Sequence, residues 1–159
     1  PCELSLRSTP RGIALCRRPV KEIELLHGQR RHYADMLLTP GQNPLADIRG
    51  DLFDVRAEFE FGTTGRVVFR AYGISVVYEA EAKTLSSSGR SIVLAPVNGR
   101  VKLQLLIDRT SLEVFANDGL VSMTFCFLPP DTDAQLSVCA EGETVKIVSL
   151  DVFEMNSIW

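Results

Sequence analysis

The chain has 159 residues, 45% hydrophobic and 23% charged, the balance of a water-soluble folded protein and not of a disordered, fibrous or membrane chain. Seventeen basic against 20 acidic residues leave a net charge of −3 and an isoelectric point near 5.4, which argues against nucleic acid as the main partner. No apolar run approaches the roughly 20 residues of a membrane-spanning helix, and a chain this long buries about 70% of its unfolded surface, so one domain over 1–159 with its own core is expected.

The sequence opens Pro1-Cys2-Glu3, with neither Met nor a basic-then-apolar leader, and reads as a mature protein or an excised module, so its localisation is left open. Thr9-Pro10-Arg11-Gly12 marks the first turn. After Pro19, the spacing of Val20, Ile23 and Leu26 predicts at most two helical turns over Val20 to His27, ending near Gly28. From His32 to Gly50, with Pro40-Gly41-Gln42-Asn43-Pro44 inside it, the sequence reads as an outer loop. Strict alternation then begins at Val55-Arg56-Ala57-Glu58-Phe59-Glu60-Phe61, which predicts a strand with one core face and one wet face. Ile74, Val76 and Tyr78 repeat the pattern, as do Val101, Leu103 and Leu105 running to Ile107. Turns are expected at Gly62-Thr63-Thr64-Gly65, Asp108-Arg109-Thr110, Asn117-Asp118-Gly119 and Pro129-Pro130-Asp131. Near the end the phase slips, from Val145 and Ile147 to Val148, Leu150 and Val152, and a bulge or sheet corner is the expected cause. About a dozen short strands with almost no helix predict an all-β fold: a two-sheet antiparallel sandwich, jelly-roll or concanavalin-like.

Cys2, Cys16, Cys126 and Cys139 form no C-x-x-C pair, so a zinc site is not indicated. Cys2 with Cys16, and Cys126 with Cys139, could each face one another across a hairpin, but buried free thiols are the expected state.

At Leu106-Ile107-Asp108-Arg109-Thr110-Ser111-Leu112-Glu113-Val114-Phe115-Ala116-Asn117-Asp118-Gly119 the sequence resembles the signature of the C-terminal β-sandwich of glycoside hydrolase family 32, the family of invertases, levanases and inulinases. Asp108, Arg109, Glu113, Phe115, Asn117, Asp118 and Gly119 carry that signature. Glu3-Leu4-Ser5-Leu6-Arg7 is similar to the family's first strand, Arg18-Pro19-Val20-Lys21-Glu22-Ile23 to its crossing segment, and Asn156-Ser157-Ile158-Trp159 to its closing residues. The resemblance implies a two-part parent enzyme, with a five-bladed propeller that carries catalysis followed by this sandwich. Five blades of about 40 residues would need about 200, more than the whole chain. The family's acidic motifs are absent as well: the only tryptophan is Trp159, far from any Trp-Met-Asn-Asp-Pro-Asn, and neither Arg-Asp-Pro nor Glu-Cys occurs. No catalytic residue is carried over.

Glycoside hydrolysis needs two carboxyl groups flanking one bond, about 5 to 5.5 Å apart for retention and wider for inversion. Glu58 with Glu60, and Glu79 with Glu81, are the candidate pairs, but the apolar residues between them define the core face, so these glutamates are expected to point to water. His27 and His32 flank a basic stretch that belongs with Arg17, Arg18 and Lys21, and no nucleophile elbow accompanies them. That basic run is either a solvated face or a docking surface for an acidic neighbouring domain. Sugar binding by a bare sandwich would use an exposed aromatic face beside polar side chains, for which Arg70, Tyr72 and Tyr78 are the candidates against ordinary cross-strand packing. No metal-ligand cluster or phosphate-cradling loop appears, so no metal and no cofactor is expected.

The expected role is therefore a non-catalytic module that stabilises or docks to the family 32 propeller in its parent chain. The rival is a stand-alone carbohydrate-binding module for fructan or another sugar, and a third reading is a jelly-roll glycosidase using Glu79 and Glu81. A homodimer formed through an exposed sheet or an exchanged strand is the expected behaviour of the bare module.

Overall fold

Where apolar and charged residues alternate, the chain runs extended. The computed structural model describes residues 1–10, 12–128 and 136–157, and among these it contains thirteen strands and one short 3-10 helix. In order they are β1 (Cys2–Thr9), β2 (Gly12–Pro19), the 3-10 helix (Lys21–Leu26), β3 (His27–Leu38), β4 (Phe53–Glu60), β5 (Arg66–Ala71) and β6 (Ile74–Glu79). There follow β7 (Thr84–Ser87), β8 (Arg90–Val93), β9 (Arg100–Ile107), β10 (Ser111–Ala116), β11 (Val121–Cys126), β12 (Ser137–Glu141) and β13 (Val145–Met155). A six-stranded sheet in the order β11-β10-β9-β4-β13-β3 faces a five-stranded sheet in the order β12-β5-β6-β7-β8, and β1 and β2 form a separate hairpin. Every strand pairing is antiparallel, so the structure is the all-β antiparallel sandwich that the alternation predicts.

The core lies between the two large sheets. Phe53, Val55, Ala57 and Phe59 of β4 and Val101, Leu103, Leu105 and Ile107 of β9 enter it from one side, and Val67, Phe69, Val76, Tyr78 and Leu85 from the other. Each fully buried aliphatic or aromatic side chain contributes roughly 1.5–3 kcal/mol, offset by the entropy of ordering the chain. The phase slip in β13 is a bulge between Ile147 and Ser149 in the pairing with β4, so that Val145, Ile147, Leu150 and Val152 all stay buried.

Two expectations are corrected, the loop over His32 to Gly50 and the burial of the cysteines. The segment from His32 is not loop up to Gly50: β3 runs to Leu38, and residues 39–52 connect it to β4. Among the described residues β3 is an edge strand that pairs with β13 alone, Leu38 is its one buried residue, and Asp35 interrupts it at φ +48, so the period-two signal is missing. The connection is also not confined to the outside, because Leu45 and Ile48 are buried in the core. The short helix expected after Pro19 is present as a 3-10 helix over Lys21–Leu26, for which the three-residue spacing of Val20, Ile23 and Leu26 is the natural period. Neither cysteine pair is apposed: Cys2 lies opposite Pro19, Cys16 opposite Ser5, and Cys126 and Cys139 belong to different sheets. All four are free thiols, and only Cys16 is buried. The expected turn at Pro129-Pro130-Asp131 and the closing Ile158-Trp159 lie outside the described residues, as does Arg11.

Tyr78 gives the core a pH dependence. Its hydroxyl donates to the Leu94 carbonyl at 3.3 Å, the residue is fully buried, and burial pushes its pKa up to about 12. The folded pKa lies above the ordinary tyrosine value of about 10, so this contribution is fully present below about pH 10 and is lost as pH rises through the folded value. Tyr78→Phe is expected to cost about 1 kcal/mol at neutral pH through the lost hydrogen bond and to flatten the alkaline loss of stability. Urea melts at pH 8 and at pH 11 measure both effects, and an unchanged alkaline slope in the variant would contradict the assignment.

Candidate functional site

β4 turns Asp54, Arg56, Glu58 and Glu60 away from the core, onto the outer face of the six-stranded sheet. Over this face the hairpin and the 3-10 helix leave a groove of about 370 Å³. Arg18, Pro19 and Val20 wall it on one side, and Arg56, Gln104 and Phe115 line it on the other. Asp54 is completely buried and organises two of those groups. Its Oδ2 accepts from Arg56 Nε at 3.0 Å, and its Oδ1 from Gln104 Nε2 at 2.9 Å. His27 Nε2 lies 3.0 Å from Oδ2, and because an ionised carboxylate only accepts, the ring nitrogen is the donor. The His27 ring stacks on Phe153 at 3.9 Å, with the Arg30 and Arg56 guanidinium groups 5.7 and 5.5 Å from the Phe153 centroid.

Arg56 also bonds Glu24 at 2.8 Å, tying the 3-10 helix to β4. Burial alone would lower the Arg56 pKa, but its bonds to Asp54 and Glu24 outweigh this and hold it above the ordinary value. The same bond holds the Glu24 carboxyl below the usual range. Each of the five carboxylates lining the groove faces a cation: Glu3 with Arg18, Glu24 with Arg56, Glu58 with Arg100, Asp118 with Lys102, and Asp151 with Arg30 and His32.

The signature residues build a brace. Asn117, Asp118 and Gly119 all take positive φ, at +47°, +58° and +81°, and turn β10 into β11. The Asn117 side chain is buried and satisfied at both ends: Oδ1 accepts from the Lys102 amide at 3.0 Å, and Nδ2 donates to the Ala95 carbonyl at 2.9 Å. The Gly119 carbonyl accepts from the Arg17 amide at 2.9 Å, and the Arg7 guanidinium donates to the carbonyls of Asn117 and Asp118. Asp108 accepts from the Arg109 amide at 2.6 Å, and Arg109 pairs with Asp51 at 2.6 Å, a bond that raises its pKa. Leu112 and Val114 enter the core, while Glu113 and Phe115 share the outer face. Phe115 is nevertheless 3% exposed, because it lies in the groove, and Glu113 is 4.0 Å from Arg17.

The other sequence candidates are dispersed. Arg70 is exposed on the five-stranded sheet and pairs with Glu141 at 3.1 Å. Tyr72 does not continue its strand: at φ +51 it forms the turn with Gly73, and its hydroxyl donates to the Asp51 carbonyl at 3.0 Å. Tyr78 lies in the core with no exposed surface, so its cross-strand packing excludes it from a surface sugar platform. Glu79 and Glu81 are exposed, whereas Glu58 and Glu60 both turn to Arg100. His27 and His32 have separate carboxylate partners, Asp54 and Asp151. Sequence reasoning passed over Asp54 and Gln104. Asp54 precedes the alternation that begins at Val55, and nothing local shows that His27 covers it. Among the described residues no group of three His, Cys, Asp or Glu side chains is placed to hold a metal.

Residues 22–154 match the family described as "Glycosyl hydrolases family 32 C terminal". A levanase of Bacillus subtilis is 31% identical over the whole of this chain and 27% of its own length, and a fructan beta-fructosidase of Streptococcus mutans is 26% identical over 91% of this chain and 12% of its own. The crystal structure of an exo-inulinase from Aspergillus awamori shares the fold over the whole chain and 36% of that structure, with TM-score 0.80 at 20% identity. A beta-fructofuranosidase from Schwanniomyces occidentalis does so over 98% of this chain and 40% of its own, with TM-score 0.77 at 14% identity. The chain thus spans about a quarter of the Bacillus levanase.

Proposed function

Because the chain belongs to the C-terminal family of glycosyl hydrolases family 32, we propose that it is the non-catalytic module of a β-fructosidase-type enzyme and acts by docking to the catalytic propeller of its parent chain and stabilising it. The observation that carries this reading is the use of the signature. Asn117 and Gly119 spend their hydrogen-bonding and conformational capacity on bracing the module, and every carboxylate lining the groove is held by a cation. None is left as the paired acid and base that glycoside hydrolysis requires.

Adding the 159-residue chain to the separately prepared propeller tests the proposal. At one hundred times its dissociation constant the module is expected to stabilise the propeller by about 2.7 kcal/mol, read as a rise in its melting temperature, and no rise at saturation counts against docking. The chain alone is expected to release no sugar from sucrose, inulin or levan, and sustained turnover by the pure polypeptide refutes the non-catalytic role. Saturable heat with those sugars in a calorimeter, without turnover, would favour the carbohydrate-binding alternative.

A further inference from the structure

The β1–β2 hairpin has two unlike faces. Residues directly opposite in an antiparallel pair share a face, so Leu4, Leu6 and Ser8 lie on one side with their partners Arg17, Leu15 and Ile13. That side points away from the sandwich: Leu4, Leu6, Ile13 and Leu15 are 62%, 72%, 75% and 62% exposed. The reverse side carries the fully buried Cys16, together with Arg7, which reaches the Asn117–Asp118 carbonyls. Among the described residues the hairpin pairs with no third strand.

Singly scattered apolar side chains need no explanation, but four branched ones side by side on a two-stranded ribbon form a patch, and an isolated ribbon of this kind is marginal in water. The family match begins at residue 22, just after the hairpin, so the module's defining sequence does not include it. The Bacillus levanase nevertheless matches across the whole of this chain, hairpin included, while the chain accounts for only 27% of that protein. Nearly three quarters of that relative therefore lies outside the matched region, and the hairpin is the segment immediately before the C-terminal family region.

We propose that the face formed by Leu4, Leu6, Ile13 and Leu15 is the surface on which the catalytic part of the parent chain sits, and that the boundary between the two parts runs at Val20, after the hairpin. The hairpin is then shared, its outward face covered by the catalytic part and its inward face pinned by the turn at Asn117–Gly119. This inference rests on the proposed docking to a propeller and adds which residues carry it.

The test uses the full-length parent protein and the 159-residue chain in parallel. The double substitution Leu6→Lys with Ile13→Lys is expected to lower the melting temperature of the full-length protein by roughly 10 °C, and that of the 159-residue chain by no more than about 1 °C, since exposed substitutions are nearly neutral. Val93→Lys, at another exposed apolar position, serves as the control and is expected to shift neither. In case the double variant fails to accumulate, Leu6→Cys is labelled with iodoacetamide and read by peptide mass spectrometry. Labelling is expected to be at least tenfold slower in the full-length protein than in the 159-residue chain. Equal labelling, or an unchanged full-length melting temperature, overturns the inference, and if the module still stabilises the propeller in trans the proposed function survives it. Protection of Leu6→Cys in the 159-residue chain that vanishes on dilution to monomer assigns the face to a second copy and also overturns the inference.

Discussion

Asp54→Ala is expected to destabilise the chain by about 3–5 kcal/mol, the usual cost of removing one partner from a buried charge network, or roughly 10 °C or more in melting temperature for a protein of this size. Asp54 has no exposed surface and serves three donors, from His27, Arg56 and Gln104. Its removal leaves the His27 imidazole and the Gln104 amide without this acceptor and the Arg56 guanidinium with Glu24 alone, on the outer face of the sheet. Asp54→Asn keeps one side-chain acceptor and loses the charge, so a smaller loss of about 2 kcal/mol is expected. Thermal or urea unfolding of the two variants measures both values. An alanine variant within about 1 kcal/mol of wild type, the range of an exposed ion pair, would show that the network is solvated and dispensable.

Gly119→Ala is expected to detach the hairpin from the sandwich. Gly119 sits at φ +81, and a Cβ there would overlap the Arg17 carbonyl and the Arg18 side chain. The strained backbone conformation alone costs about 1–3 kcal/mol, and the backbone of Arg17 cannot give way without losing its bond to the Gly119 carbonyl. Hydrogen exchange reads the outcome by position. Protection of the Arg17 amide is expected to be lost while amides of β4 and β9 keep theirs, and trypsin is expected to cut after Arg17 much faster than in wild type. Retained protection at Arg17 would mean that the hairpin is held by contacts other than this turn.

Much of the fold was legible because its signals are local. In β4 and β9 each residue's own polarity states which way it faces, and a two-residue period is visible without knowing the partner strand. The same holds for the bulge in β13, where a slipped phase is enough. β3 was not legible for the complementary reason: an edge strand with one buried residue has no core face to print on its sequence. Tyr72 and Tyr78 illustrate the limit at the level of side chains. Both are tyrosines near the same pair of strands, but one lies at a tight turn that Gly73 permits and the other between the sheets.

For the site, the signature from Asp108 to Gly119 was readable as a turn and as a family resemblance, while the purpose of its residues was not. Asn117 joins Lys102 and Ala95, and Gly119 admits Arg17, contacts that span 15, 22 and more than 100 positions of the chain. The sequence alone therefore determined an antiparallel two-sheet protein with the marks of a family 32 C-terminal module, since alternation, turn residues and motifs are properties of neighbouring residues. Only the tertiary structure decided which carboxylate is buried, which tyrosine reaches the surface and which face of the first hairpin is left bare. Burial is set by segments distant along the chain that meet only once it is folded.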